Sequence, residues 1–484
     1  MRQRYVHNLI IGGGAAALAA AWRLKSLGQD DLLLLTEGLN RSCSINTGSD
    51  KQTYYKMGLY GAEADSPLQM AASYMEGGAM HGDLALTEAA LSTRCFLDLV
   101  GLGVPFPCDR YGQYIGYKTD HDPRRRASSC GPHTSREICL ALIKTLRQAE
   151  LDIVENCLAV ELLQLQNRAA GAIVYHESLD EFEAILAENT IFACGGPGGL
   201  YANSVYPQGH LGSIGLALRA GAQAQNLPES QFGLGSLKFR WNLSGTYMQA
   251  LPRFVSTAAD GKSDAREFLF EHYKNPALMH SMIFMKGYQW PFDAHKLPQG
   301  SSQIDLLVHE ETVMKKRRVF LDFRENSRHG LDFAALSPEA REYLENSRAC
   351  LDTPLLRLKQ MNPQAAQLYF KHGIDLGGEA LEFALCAQHN NGGLAGNTWY
   401  ESSNISHLFP IGEVNGSHGV VRPGGAALNA GQVGALRAAQ YIAGAYTEPS
   451  LPCGQALEKA RRGVKAWQGF LQGTRDWRRD RHEL

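Results

Sequence analysis

Ile10-Ile11-Gly12-Gly13-Gly14-Ala15-Ala16-Ala17 decides the fold of this 484-residue chain. Residues 5–11 are an apolar run that predicts a buried strand, and residues 15–27 after the glycines predict a helix. Residues 32–36 predict a second buried strand, which Glu37 closes. A strand, a glycine turn, a helix, a strand and an acid in this order predict a dinucleotide-binding βαβ unit.

Each residue type in this unit has a physical role in holding a dinucleotide. Gly12 permits the sharp turn, and Gly14 lets the backbone approach a pyrophosphate. Ala15 and Ala16 begin a helix whose first N–H groups attract phosphate. Glu37 would accept the ribose hydroxyls. The alternative is a tight turn without a ligand, and the pattern alone does not separate FAD from NAD.

Composition indicates an ordinary globular enzyme and excludes several other classes. Hydrophobic residues make up 44% and charged residues 20% of the chain, enough for a large core and more than one domain. The net charge of -2 argues against a nucleic-acid partner. No apolar run is long enough to span a bilayer and the first residues do not read as a signal sequence, which predicts a cytoplasmic location. The ten cysteines are scattered, so no metal or iron–sulfur site is expected.

The polar loop after Glu37 favours FAD over NAD. Residues 41–48 are rich in small hydroxyl side chains at the place where a flavin's pyrophosphate and ring would lie. Ser42, Thr47 and Gly48 are the candidate contacts in this loop. The alternative is a polar loop with no role in cofactor binding.

A second glycine-rich segment, residues 408–431, lies far from the first along the chain. It predicts a strand that ends in Gly412-Glu413, a loop with His418 and Arg422, and a helix that a glycine pair opens. The N-terminus of that helix would face the flavin's pyrimidine edge and stabilise negative charge there. Two helix N-termini on one cofactor favour FAD. From this segment and the strands before it, the further candidate cofactor contacts are Gly412, Glu413, Gly425, Ala426, Leu428, Ala159, Ala193, Gly195 and Gly196.

In their order along the chain these motifs resemble the flavoprotein family of fumarate reductase and succinate dehydrogenase, which includes L-aspartate oxidase. The resemblance implies an α/β fold, in which a three-layer, Rossmann-like FAD-binding domain with a parallel sheet and a β-meander is interrupted by an α+β cap domain. The predicted parts are residues 1–228 and 371–445 for the FAD-binding domain, 229–370 for the cap and 446–484 for a helical tail. The matching segments are residues 10–17, 193–196, 212–222, 231–232, 389–393, 412–413 and 418–425.

The resemblance also implies which side chains bind the substrate. The substrate would lie between the cap and the flavin, and hydride would pass to or from the flavin's N5. His389 and Arg422 correspond to the family's ligands for a substrate carboxylate, and a guanidinium suits a carboxylate through paired hydrogen bonds. The alternative for His389 is a core histidine satisfied by Asn390 and Asn391.

The chain departs from the family in two places that concern ligand binding. Members with covalent flavin carry a histidine in the loop where this chain reads Arg41-Ser42-Cys43-Ser44, so FAD is expected to be non-covalent. Members also carry a substrate-binding histidine after the motif at Gln231-Phe232, but here Gly233-Leu234 follows. One carboxylate ligand is therefore missing.

The family's proton-donating arginine is a third departure, because residues 245–250 do not contain it. Reduction of an alkene needs an acid within hydrogen-bond reach of the carbon. Tyr247, Arg253, Lys286 and Tyr288 are the candidate replacements. Trp290 is interpreted as cap core, with stacking on a planar substrate as the alternative.

Together these features predict an FAD-dependent oxidoreductase that reduces, or forms by the reverse reaction, a carbon–carbon double bond next to a carboxylate. The substrate would not be plain fumarate or succinate. One alternative is an amino-acid or amine oxidase or dehydrogenase that resembles L-aspartate oxidase, and another is a non-catalytic electron-transfer subunit. A separate electron donor or acceptor is expected, since the sequence shows no second nucleotide motif and no haem or cluster ligands.

Overall fold

The structure is a computed structural model and describes residues 2–119 and 121–482. Within these residues it has sixteen strands and fifteen α-helices. The strands are β1 (Arg2–Ile11), β2 (Leu32–Leu35), β3 (Tyr54–Tyr55), β4 (Ala127–Ser128), β5 (Asp152–Val154), β6 (Cys157–Leu165), β7 (Arg168–His176), β8 (Glu181–Phe192), β9 (Ala224–Gln225), β10 (Ser230–Ser236), β11 (Trp241–Asn242), β12 (Arg253–Thr257), β13 (Arg318–Asp322), β14 (Leu381–Asn390), β15 (Gly393–Leu394) and β16 (Leu408–Pro410).

The helices connect and cover these strands. They are α1 (Ala15–Ser26), α2 (Cys43–Asn46), α3 (Pro67–Met75), α4 (Gly82–Gly101), α5 (Thr134–Gln148), α6 (Ile214–Arg219), α7 (Thr246–Gln249), α8 (Phe268–Tyr273), α9 (Pro276–Lys286), α10 (Ser302–His309), α11 (Pro338–Asn346), α12 (Pro354–Met361), α13 (Pro363–Lys371), α14 (Ala426–Ala445) and α15 (Cys453–His482).

The first sheet has seven strands and confirms the predicted combination of parallel strands and a β-meander. Its order is β5-β2-β1-β8-β7-β6, with β16 also on β8. The strands β1, β2, β5, β8 and β16 run parallel, whereas β6, β7 and β8 pair antiparallel. The meander therefore belongs to the main sheet, because β8 is at once a parallel partner of β1 and an antiparallel partner of β7.

Small residues hold the helices of this domain close to one another. The helix α1 is rich in alanine, and its buried face packs with α5 and α14 in one hydrophobic cluster over the sheet. A Cβ at Gly431 of α14 would come within 3.3 Å of the Ala16 Cβ. The predicted C-terminal helix exists as α15, which packs through Leu457 and Trp467 on the meander strands.

The second sheet has five strands in the order β11-β10-β14-β13-β12, and their pairings are antiparallel. Helices α7 to α13 pack with it in a separate aromatic-rich core. The strand β14 lies beyond residue 370, yet it pairs with both β10 and β13, so the polypeptide returns to the first sheet only at β16. The predicted fold class, an α/β domain interrupted by an α+β cap, is confirmed. The exact domain limits stay a prediction.

The described residues contain neither a membrane-spanning helix nor a cluster of metal ligands. None of the helices is long and apolar enough to cross a membrane. Residues 2–119 and 121–482 also contain no group of three or more histidine, cysteine, aspartate or glutamate side chains that could hold a metal ion.

Candidate active site

One large cavity, of about 2090 Å³, is lined by residues of both sheets and their connecting loops. Pockets for a single small ligand commonly measure about 300–1,000 Å³. The size therefore suits a large cofactor together with a second ligand.

At one end of the cavity, the chain turns from β1 into α1 at Gly12. The φ angle of Gly12 is 133°, and a Cβ there would clash with the carbonyl oxygen of Ala193 at the end of β8. The Gly12 N–H donates to the Leu35 carbonyl at 2.9 Å, which ties the turn to β2. Only glycine fits at this point, where the C-terminal ends of the three neighbouring strands β1, β2 and β8 come together. Glu37 lies just beyond β2, exposed on the cavity wall.

A second helix begins at the same cavity. Its N-cap, Gly425, has a φ angle of 89°, and a Cβ there would lie 2.5 Å from the Thr53 hydroxyl. The loop after β16 reaches α1 beside it, since a Cβ at Gly412 would come within 2.9 Å of the Ala16 Cβ. Because the first N–H groups of a helix carry partial positive charge, both α1 and α14 favour an anionic group in this end of the cavity.

Most of the predicted cofactor contacts lie on the cavity wall. They are Gly12, Gly14, Ala15, Ala16, Glu37, Ser42, Thr47, Ala159, Ala193, Gly195, Gly412, Glu413, Gly425 and Leu428. Three others lie behind the wall. Gly48 packs against Pro132 and the Trp241 ring, Gly196 packs against the Glu413 carboxylate, and Ala426 is buried.

These residues fit FAD. The glycine turns leave room for a pyrophosphate next to two helix N-termini, and Ser44 already caps α1 by accepting the Ala15 N–H at 3.1 Å. Glu37 is placed to accept ribose hydroxyls. The wall continues from this end to Arg422 and His389, so one ligand at the cofactor end would be next to a second ligand at the other.

At the other end, Arg422 is fixed by Gln231 of β10. Its Nε donates to Gln231 Oε1 at 3.0 Å, and the Gln231 amide donates to the Arg422 carbonyl at 3.3 Å. Arg422 is 5% exposed and lines the cavity. This reciprocal pair holds a guanidinium at the wall, where it can bind a carboxylate through two parallel hydrogen bonds.

His389 is opposite Gln231 in the pairing of β10 and β14. Its Nδ1 lies 3.0 Å from the Asn391 side-chain oxygen, and the amide of Asn391 donates to the Gly419 carbonyl. Burial, with Arg422 nearby, holds the pKa of His389 well below its usual value of 6.5, so the ring is neutral. Since Nδ1 carries the proton donated to Asn391, the buried Nε2 is a hydrogen-bond acceptor, and none of the described residues makes a hydrogen bond to it.

Glu413 is at the centre of a hydrogen-bonded cluster that the sequence alone did not predict. It accepts the Asn390 backbone N–H at 2.9 Å and the Tyr206 hydroxyl, and it lies 3.8 Å from His389 Nε2. Burial, with Glu413 beside it, raises the pKa of Tyr206 well above 10, so Tyr206 stays protonated and donates. Tyr206 and its stacking partner His210 belong to a loop with no recognisable motif, and only the tertiary structure brings them to the cavity.

The structure places three predicted proton donors away from the cavity wall. Arg253 is paired with Asp322 at 3.1 Å and Glu325 at 2.9 Å. The Lys286 ammonium is buried against Asp305, and the buried Tyr247 hydroxyl donates to a backbone carbonyl. Arg253, Lys286 and Tyr247 are therefore no longer candidates for the acid, because their polar groups are engaged elsewhere.

Two other cap residues of the sequence analysis do line the cavity. The Tyr288 hydroxyl donates to Glu339 at 2.8 Å, on the outer side of the cap. Trp290 is 4% exposed, and its indole N–H donates to the Leu234 carbonyl at 3.0 Å. Its ring lies next to Gly233, where a Cβ would come within 2.6 Å of it. Trp290 thus takes the space of any side chain at residue 233.

The fold and this cavity define a class, the two-domain flavoproteins in which an FAD-binding domain is covered by a second domain. The family model described as an FAD binding domain matches residues 7–428, and the chain belongs to that family. It is an FAD-dependent oxidoreductase, and the predicted membership is confirmed.

Curated relatives are similar over different shares of the chain. An uncharacterized FAD-dependent oxidoreductase of Methanocaldococcus jannaschii is 25% identical over 88% of this chain and 69% of its own length. One subunit of the fumarate reductase (CoM/CoB) of Methanothermobacter marburgensis is 24% identical over 89% of this chain and 71% of its own length. The L-aspartate oxidase of Pseudomonas aeruginosa is 25% identical, but the match covers only 48% of this chain and 45% of that enzyme.

Solved structures share the fold. The Sdh1 complex of Mycobacterium smegmatis with UQ1 has a chain that superposes with a TM-score of 0.70 and 19% identity, over 96% of this chain and 72% of that one. A variant FrdA chain of the E. coli quinol fumarate reductase superposes with a TM-score of 0.69 and 16% identity, over 96% and 74%.

Proposed function

We propose that the protein uses non-covalently bound FAD to reduce a carbon–carbon double bond next to a carboxylate, or to form it by the reverse reaction. The observation that carries this proposal is Arg422. It is a buried guanidinium fixed by Gln231 on the wall of the cavity whose other end fits FAD.

Bound FAD supplies hydride transfer at its N5. Arg422 binds the substrate carboxylate and, because Gln231 fixes its Nε, presents the same face of the guanidinium at each turnover. The second domain excludes water, which strengthens the pairing of the two charges.

His389 serves as a proton acceptor in this proposal. A neutral ring that donates through Nδ1 cannot also donate through Nε2 to a carboxylate. Its Nε2 can instead take a proton from the substrate carbon in the reaction that forms the double bond, and the resulting cation would be stabilised by Glu413, 3.8 Å away. In the direction of reduction the ring first takes a proton from water at Nε2, where Glu413 stabilises the cation, and then gives that proton to the substrate carbon.

The substrate is proposed to be larger and flatter than fumarate or succinate. Where the family carries a second histidine ligand, this chain has Gly233 and the face of Trp290 fills the space. An indole ring binds an apolar or planar group and not a second carboxylate.

Oxidation of a carbon–nitrogen bond is the second candidate, and the acceptor at His389 Nε2 favours it. An amine N–H can donate to this nitrogen while Arg422 holds the carboxylate of an amino acid. The partial similarity to L-aspartate oxidases supports the same candidate.

The test is to load the protein with FAD, reduce the flavin without oxygen, and add a panel of unsaturated acids with aliphatic and aromatic substituents. We expect flavin absorbance to return with at least one planar acid. In air, amino acids should release no peroxide. If no acid restores the flavin, the reductase proposal fails, and peroxide release with an amino acid would establish the second candidate.

The proposal of non-covalent FAD is supported by Cys43. This residue lies on the cavity wall, in the loop where family members with covalently bound flavin carry a histidine. Burial, with Glu413 nearby, raises the pKa of the Cys43 thiol well above 9, so it is a weak nucleophile. Denaturation in acid should therefore release all flavin into the supernatant. Flavin fluorescence that stays with the denatured chain, and is lost in Cys43→Ser, would overturn this. The separate electron partner and the cytoplasmic location stay predictions.

A further inference from the structure

The cavity wall carries more positive charge than FAD needs. Counting the described residues alone, eight lysine and arginine residues line it against four carboxylates, a surplus of four, although the whole chain has a net charge of -2. The two phosphate charges of FAD would balance half of that surplus. The remaining positive charge attracts a second anionic ligand.

Part of this charge lies where the cavity opens to solvent, at a cluster that we call the basic mouth: His133, Arg136, Lys371 and His372. Arg136 belongs to the first turns of α5, which packs on the first sheet, and Lys371 ends α13, which packs on the second, so each of the two layers contributes one cation. Both cations are exposed, and among the described residues neither forms an ion pair. Two other cations of the wall, Arg41 and Lys238, form ion pairs, with Glu177 at 4.0 Å and with Glu379 at 3.5 Å.

A strip of aromatic rings leads from the basic mouth along the wall. The His372 ring stacks on Phe239 with centroids 3.7 Å apart, and Phe239 stacks on Trp241 at 5.4 Å. The Trp241 ring meets His133 edge to face at 5.2 Å. Trp241 is only 1% exposed, so Phe239, which is partly exposed, is the ring that can contact the apolar or planar part of a ligand whose charged end lies among the cations.

His133 shows that the cations act together on one point. Burial lowers the pKa of His133, and Arg136, His372 and Lys371 lower it further. Its Nδ1 is buried and has no hydrogen-bond partner within residues 2–119 and 121–482. The first turn of α5 adds little, because the Ser135 N–H is already accepted by Gln52 at 2.8 Å. Recognition of an anion here depends on the side chains.

From this arrangement we infer that the substrate is anionic at both ends. Its reacting carboxylate binds Arg422, its planar or apolar middle packs against Phe239, and a phosphate or carboxylate at its far end binds Arg136 and Lys371. The inference rests on the proposed function for the first contact, whereas the contact at the basic mouth can be tested by itself.

The first experiment measures anion binding to the FAD-loaded protein by calorimetry, with tripolyphosphate as the probe. The double variant Arg136→Gln/Lys371→Gln should bind it at least about tenfold more weakly, since it lacks the charged hydrogen bonds of both side chains to the anion. Lys144→Gln is the matched control, because Lys144 is an exposed cation of α5 outside the cavity wall. Equal binding by the double variant and the control would overturn the site.

The second experiment asks whether the anion belongs to the substrate. An unsaturated acid that restores the reduced flavin is compared with the same acid extended by a distal phosphate. We expect a lower KM for the extended acid, and the double variant should raise that KM about tenfold more than the KM of the short acid. If extension does not lower KM while tripolyphosphate still binds, the far end of the substrate is not the ligand. If no acid restores the flavin, the proposed function fails and calorimetry still decides on the basic mouth.

Discussion

The two ends of the cavity recognise their ligands in different ways. At the cofactor end the chain uses backbone and small side chains, as at Gly12 and Gly425, where no Cβ fits without a clash or strain. At the substrate end it uses long side chains that hold one another, as Gln231 holds Arg422. The first kind of site can serve any enzyme of the family, while the second can change its substrate through a few side chains.

The largest effect is expected at the cofactor end, from Gly12→Val. The new side chain would clash with the Ala193 carbonyl and sit at a φ angle of 133°. The ends of β1 and β8 would therefore have to move apart. We expect loss of FAD and of cooperative unfolding, measured by flavin absorbance and thermal melting.

Gly28→Ala is the control, because Gly28 also has a positive φ angle, 76°, but nothing lies within 4 Å of its Cβ position. It should cost about 1 kcal/mol and keep FAD. If Gly12→Val retained FAD, a side chain at residue 12 would be compatible with the cofactor site, and this prediction would be wrong.

A smaller effect is expected from pH, with one buried histidine in each half of the fold. Burial lowers the pKa of His280 in the cap and of His407 in the FAD-binding domain to about 4. Each ring is neutral when folded but takes a proton near pH 6.5 when unfolded, so stability is full above pH 6.5 and is lost as pH falls toward 4. The loss is at most about 2 kcal/mol per histidine by pH 5.

Urea unfolding at pH 7.5 and pH 5 measures this loss. His280→Gln and His407→Gln should each make the stability less dependent on pH. If both variants keep the full dependence, other groups cause it.

The smallest effect is expected from Tyr206→Phe. Tyr206 lies on the cavity wall between the cofactor end and the substrate end. The change removes the hydroxyl that donates to Glu413 and accepts the Asn390 amide, and should cost about 1–2 kcal/mol in urea unfolding. Because Tyr206 lines the cavity, the flavin spectrum should also shift. Tyr54→Phe is the control, since its buried hydroxyl bonds Asn429 outside the cavity wall, so stability should fall without a spectral shift. A spectral shift in both variants would mean that the cofactor responds to any loss of stability.

The same contrast explains how far the sequence could be interpreted. Gly12, Gly14 and Glu37 are close in sequence, and the turn, the pyrophosphate and the ribose each require one of these residue types. The βαβ unit and, with the later glycine-rich segment, FAD could therefore be predicted from the sequence. Arg422 and His389 required the resemblance to a family, and the hydrogen bonds to Gln231 and Asn391 that define their chemistry required the structure. Tyr206 had no local signal because its role depends on a contact with Glu413, 207 positions away.

The predicted acids failed for a related physical reason. Tyr247, Arg253 and Lys286 have suitable side chains, but a side chain can transfer a proton to the substrate only if its polar group faces the cavity. Buried carbonyl and carboxylate partners within the cap take up all three groups. Sequence reveals the chemical type of a residue, whereas its direction follows from packing in the cap core.

The central claim, that Arg422 orients the substrate carboxylate, is tested most directly by the rate at which an unsaturated acid restores the reduced flavin. The comparison is between Arg422→Lys and Arg253→Lys, which remove a guanidinium at the cavity and one that is ion-paired away from it. We predict a fall of about 100-fold or more for Arg422→Lys, because lysine cannot make the paired hydrogen bonds, and an unchanged rate for Arg253→Lys. A full rate in Arg422→Lys, with FAD bound as in the unmodified protein, would contradict the claim.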